Sequence, residues 1–166
     1  MRLNLLLRAA VTSSWAKYKL NFILARMIPF NSKHGIKVNF VESNKVITYI
    51  PYNKVNFNHL RGIHACAIAT IGEYCAGLLL LQNVDADAFR LIMSNLQVSY
   101  HFQAKTECTA IAEVAAEEIA VMQQQLAVTG KCDIKMTAEI YDAISNHIAT
   151  VVTVWQIKSW QLVRTK

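Results

Sequence analysis

Ile63-His64-Ala65-Cys66-Ala67-Ile68-Ala69-Thr70-Ile71-Gly72-Glu73-Tyr74-Cys75-Ala76-Gly77-Leu78-Leu79-Leu80-Leu81 is nonpolar almost throughout, interrupted by an imidazole at His64 and a carboxylate at Glu73. A mid-bilayer acid costs about 2.5–3.5 kcal/mol even on the translocon scale, which argues against a membrane span. A helix that is apolar on every side is instead the core helix of a folded domain. The reading of the rest of the chain follows from what can cover it.

On both sides of this helix the period of the sequence changes to two. Upstream, Ile36, Val38 and Phe40 alternate with Lys37 and Asn39, Ser43-Asn44 turns the chain, and Val46 to Ile50 returns toward Pro51 as the second arm of a hairpin. Downstream, Leu96, Val98, Tyr100 and Phe102 alternate with polar residues, and Cys108 to Ala115 is short enough to pair with that strand. Glu117 to Thr129 reads as a helix with acids at its positive end and Gly130 as its stop. Cys132 to Ile140 and His147 to about Trp160 form the last two strands, around a turn near Ser145-Asn146. Residues 2 to 27 carry a further helical pattern, with Thr12-Ser13-Ser14 as a possible break and Pro29 beyond its end. The order α-β-β-α-β-β-α-β-β predicts an α+β fold in which an antiparallel sheet holds the apolar helix on its concave face.

The chain has 166 residues, 54% of them hydrophobic and 17% charged, which suits one domain, residues 1–166, and excludes a disordered or collagen-like chain. Residues 1–28 form an N-terminal helical segment and 29–166 the core. The apolar run before Arg8 is too short for an export signal. Cys66, Cys75, Cys108 and Cys132 show no metal-ligand spacing, so no metal is expected, and all four read as reduced core thiols of a cytoplasmic protein. The formal charge of +6 comes from basic residues spread along the chain with no compact stripe or nucleic-acid motif. Neither a nucleic acid nor a membrane is expected as a partner.

The chemistry concentrates in Asn58-His59-Leu60-Arg61-Gly62-Ile63-His64, followed by Glu73. The first amides of a helix lack intrahelical acceptors and lie at the positive end of its dipole, so the N–H groups of Ala65 and Cys66 are candidate donors to an oxyanion. Glu73 lies nine residues beyond His64, and at about 100° per residue the two point to opposite sides of one helix. They cannot meet within one chain, but they can across a two-fold dimer. Arg61 in the loop is the candidate contact for a phosphate, and Thr70 a candidate lining residue.

Asn58, His64 and Glu73 have the spacing of the PaaI-like hotdog thioesterases: an Asn, six residues on a His-Gly-Gly, and an acid nine residues after that His. The wider frame, with Pro29-Phe30 and Gly35-Ile36-Lys37-Val38 ahead of the motif and two later hairpins, resembles the DUF4442 branch of that superfamily over roughly residues 20–160. The resemblance implies a hotdog fold with an extra N-terminal helix, assembled as a homodimer or homotetramer. It also implies hydrolysis of an acyl-CoA or related thioester with no cofactor beyond that substrate, using Glu73 as base or nucleophile and Asn58 and His64 as positioning groups. Ala65 and Cys66 stand where the family has its glycine pair. This departure supports an alternative, a hotdog protein that binds acyl thioesters or lipids without turning them over.

Overall fold

The structure is a computed structural model and describes residues 3–163. The N-terminal pattern becomes two helices, α1 (Leu3–Ala10) and α2 (Ser14–Met27), and residue 2, the expected start, lies outside the described residues. Ser13 makes the break: its extended backbone ends one helix, and its hydroxyl accepts from Ala16 N at 3.2 Å to cap the next. Pro29 does not end helical structure but opens a short turn, α3 (Pro29–Lys33), where its missing N–H costs nothing.

β1 (Lys37–Glu42) and β2 (Lys45–Ile50) form the expected hairpin, and α4 (Ala65–Asn83) is the apolar helix. After it come β3 (Phe89–Tyr100), β4 (Cys108–Glu113), α5 (Ala116–Thr129), β5 (Lys131–Asp142) and β6 (His147–Ser159). Gly130, at φ +69°, ends α5 in the left-handed region.

All six strands join one antiparallel sheet in the order β1-β2-β4-β5-β6-β3. The expected pairing of Cys108–Ala115 with the preceding strand is therefore wrong: β4 lies between β2 and β5, and β3 pairs only with β6 at the far edge. Chain proximity suggested a hairpin, but the Ile50↔Cys108 and Lys45↔Glu113 register lets β4 bury Cys108, Ala110 and Ala112 against α4. β3 also begins seven residues before Leu96, and a bulge between Met93 and Asn95 hides its alternation.

The sheet curls around α4. Ile71, Cys75, Ala76 and Leu79 are fully buried, and the close approach of β6 is made at two glycines. A Cβ on Gly72 would lie 2.6 Å from Val151 Cγ2, and one on Gly77 would lie 2.9 Å from Trp155 Cη2. α4 is long and apolar enough to cross a membrane, yet two-thirds of it is buried inside this sheet.

Candidate functional site

The start of α4 is built by the loop that precedes it. Asn58 Oδ1 accepts from Leu60 N at 2.9 Å and Gly62 N at 3.0 Å, and Arg61 N donates to Asn58 O, so the loop closes on its own backbone. Arg61 takes a left-handed φ of 57°, held by the Tyr52 hydroxyl donating to its carbonyl. His64 N is tied to Asn56 O at 2.7 Å and Ile63 N to Ala104 O at 2.8 Å, which fixes where the helix begins. Asn56 itself is buried, donating to the carbonyls of His34 and Pro51 and bonded through Oδ1 to His34 Nδ1.

His64 is the N-cap: its Nδ1 accepts from Cys66 N at 3.1 Å. That bond uses His64 Nδ1 as an acceptor and occupies one of the two expected oxyanion donors. The Ala65 N–H is left with no acceptor among the described residues, and its carbonyl receives the Tyr100 hydroxyl from β3 at 2.9 Å. Thr70 turns its hydroxyl back to Cys66 O at 2.8 Å rather than into a cavity. Cys66 is exposed, which corrects its reading as a core thiol, whereas Cys75, Cys108 and Cys132 are buried. Burial pushes the Cys75 thiol up to about 11 and, with help from Asp142 and Glu107, the Cys108 thiol up to about 12. An alkylating probe added to the native protein is therefore expected to modify one thiol of the four, Cys66; peptide mapping that finds a second would contradict this burial.

Glu73 lies about 13 Å farther along the helix axis, on the opposite side. It forms part of the wall of an apolar cavity of about 240 Å³, whose other walls are Leu3 of α1, Leu24, Met27 and Ile28 at the end of α2, Tyr74, Gly77, Leu78 and Leu81 of α4, Leu91 of β3 and Trp155 of β6. Its carboxylate makes no hydrogen bond or ion pair among the described residues, and burial raises its pKa above the ordinary 4.5. The structure thus gathers Asn58, Arg61, His64, Ala65, Cys66 and Thr70 at the helix start and sets Glu73 apart in the cavity. The contributions of Leu3, Leu91 and Trp155 to the cavity and of Tyr100 to the helix start were missed in the sequence; the sheet order brings Leu91 and Trp155 together, α1 adds Leu3, and the one local signal was the placement of Tyr100 on an alternating face.

The family model for DUF4442, a domain of unknown function, matches residues 17–157. The chain belongs to the DUF4442 family. Solved structures place this DUF4442 chain in the hotdog fold. A Pseudomonas aeruginosa protein of unknown function, called a probable thioesterase, superposes with a TM-score of 0.78 at 22% identity, covering 84% of this chain and 93% of its own. A protein of unknown function from Chlorobaculum tepidum gives 0.76 at 16% identity over 90% and 98% of the two chains. A Haemophilus influenzae thioesterase gives 0.68 at 9% identity over 90% and 94%. None of the curated proteins matches the chain. At these identities the likeness carries the architecture alone.

Proposed function

We propose that this DUF4442 protein hydrolyses acyl thioesters, with acyl-CoA as the substrate class, at a site shared by two copies of the chain. The observation that carries the reading is Glu73: a half-buried carboxylate with no partner among the described residues is costly in a nonpolar cavity and is a strong base once ionised there. The cavity beside it suits an acyl chain. Thioesterase-named neighbours of the same fold support the class of reaction.

The second copy is proposed to join at β3. This strand is 12 residues long, leaves one edge unpaired and exposes Ile92, Leu96 and Tyr100, a combination that invites pairing with another strand. Leu91 places the Glu73 cavity beside that edge. A two-fold axis there would carry the start of one α4 toward the Glu73 of the other. In the proposed reaction Glu73 takes a proton from a water that adds to the thioester carbonyl. The oxyanion receives the Ala65 N–H of the second copy, Asn58 and His64 position the reacting groups, and collapse breaks the C–S bond to release the thiolate, which the protonated Glu73 neutralises. The free thiols fit a reducing, cytoplasmic compartment.

Complementation tests the shared site. His64→Ala and Glu73→Gln are each expected to be inactive, and dimers reassembled from an equal mixture are expected to regain roughly a quarter of wild-type thiol release, because half the dimers then hold one intact site. A mixture that stays inactive, while size-exclusion and mass measurements show subunit exchange, would count against sharing. The second reading, binding without turnover, is favoured by the side chains of Ala65 and Cys66 at the helix start and by the engaged Cys66 amide. It is the outcome if acyl-CoA binds and no chain length is cleaved.

A further inference from the structure

We propose that the outward face of α2 docks the protein on an anionic lipid surface. Seven of the 17 Lys and Arg and none of the 11 Asp and Glu lie in residues 1–41, leaving ten cations against eleven acids in the remainder. The whole positive balance of the chain therefore belongs to residues 1–41. Folding concentrates it further. At about 100° per residue, Trp15, Tyr18, Lys19, Phe22 and Arg26 fall within an arc of roughly 100° on the side of α2 opposite buried Leu24.

A surface helix ordinarily turns polar residues outward. Here the outward residues are aromatic, with Trp15 71%, Tyr18 72% and Phe22 51% exposed. The cations sit on the rings: Lys19 Nζ lies 5.3 Å from the Trp15 centroid and the Arg26 guanidinium 3.8 Å from that of Phe22. Aromatic rings of this kind settle at the headgroup level of a bilayer, where phosphates meet Lys and Arg. A second copy is a poor occupant, because a two-fold contact would lay a cationic face on itself. Met27, exposed at the end of the same helix, also lines the Glu73 cavity, so docking would set the mouth of that cavity near the lipid. This departs from the expectation of no membrane partner, which rested on the acid within residues 63–81 and the short apolar run before Arg8, features that bear on spanning a bilayer and not on docking at its surface.

The test is co-sedimentation of the full chain with vesicles of phosphatidylglycerol and phosphatidylcholine, against vesicles of phosphatidylcholine alone. Binding is expected to the anionic vesicles only, and to be lost at high salt. Lys19→Gln with Arg26→Gln is expected to weaken it about 25-fold, roughly fivefold per cation, and Trp15→Ala or Phe22→Ala about tenfold each. All four side chains are on the surface, so unchanged melting temperatures confirm that the variants fold. The proposal is overturned if wild type ignores anionic vesicles or binds both kinds equally. It is equally overturned if the aromatic variants leave vesicle binding unchanged, which would mean charge attraction alone, or if they change the sedimentation coefficient of the free protein, which would make this face a contact between copies. None of these outcomes depends on hydrolysis.

Discussion

Glu73→Gln is expected to lower thioester hydrolysis about 1,000-fold, the usual worth of a positioned general base, while leaving the protein folded and more stable at neutral pH. Both effects come from one cause. Burial raises the Glu73 pKa, so the native state holds this proton more tightly than the unfolded chain does. Below the ordinary value of 4.5 both states are protonated and the glutamate is no handicap. As the pH rises through the higher folded-state pKa, the native state has to ionise a poorly solvated group and loses stability that the glutamine variant keeps. The melting-temperature advantage of the variant should therefore vanish in acid and grow toward neutrality. The acid limb of the wild-type rate profile should likewise fall above 4.5. Thiol release from acyl-CoA and melting curves across pH check both; an active variant would locate the base elsewhere, and a variant destabilised at neutral pH would reveal a structural bond to Glu73.

Gly72→Ala is expected to destabilise the fold, although the same change inside an ordinary helix stabilises it by about 1 kcal/mol. The new methyl would lie 2.6 Å from Val151 Cγ2 and 2.7 Å from Val151 Cβ. Val151 is fully buried and branched at Cβ, so no rotamer moves it away and the strand itself must shift. Overpacking of this kind costs about 1–3 kcal/mol, enough to reverse the sign. At the upper end of that range about 2 kcal/mol remains after the helix gain, and for a chain of this size the melting temperature should fall by about 4–8 °C. Adding Val151→Ala should recover part of the loss, and the double-mutant cycle measures it; two strictly additive losses would show that the pair does not clash.

The central helix was legible because its nonpolar run is too long for a strand and too polar at Glu73 for a bilayer. The β1–β2 and β5–β6 hairpins were legible for a similar local reason, alternation on either side of a short turn. The position of β3 was not. Its partner, β6, follows some 50 residues later, and the bulge at Met93–Asn95 breaks the one periodic signal that could have announced its first half. Within the candidate site, the spacing of Asn58, His64 and Glu73 set the opposed faces of α4 in advance. The His64–Cys66 cap, the backward turn of Thr70 and the exposure of Cys66 depend on atomic positions at one helix end, which spacing does not encode. The cavity beside Glu73 was also hidden, since its walls come from both ends of the chain.

The sheet order imposes a schedule on synthesis. β3 leaves the ribosome well before β6, its single neighbour in the fold, and β4 attaches to the other flank of the sheet in the meantime. Until His147–Ser159 emerges, Leu91 and Met93 have no strand to lie against, and the side of α4 that carries Gly72 and Gly77 stays uncovered. Closure of this domain therefore waits for β6, and a nascent chain stalled earlier presents an open, sticky flank to holding chaperones.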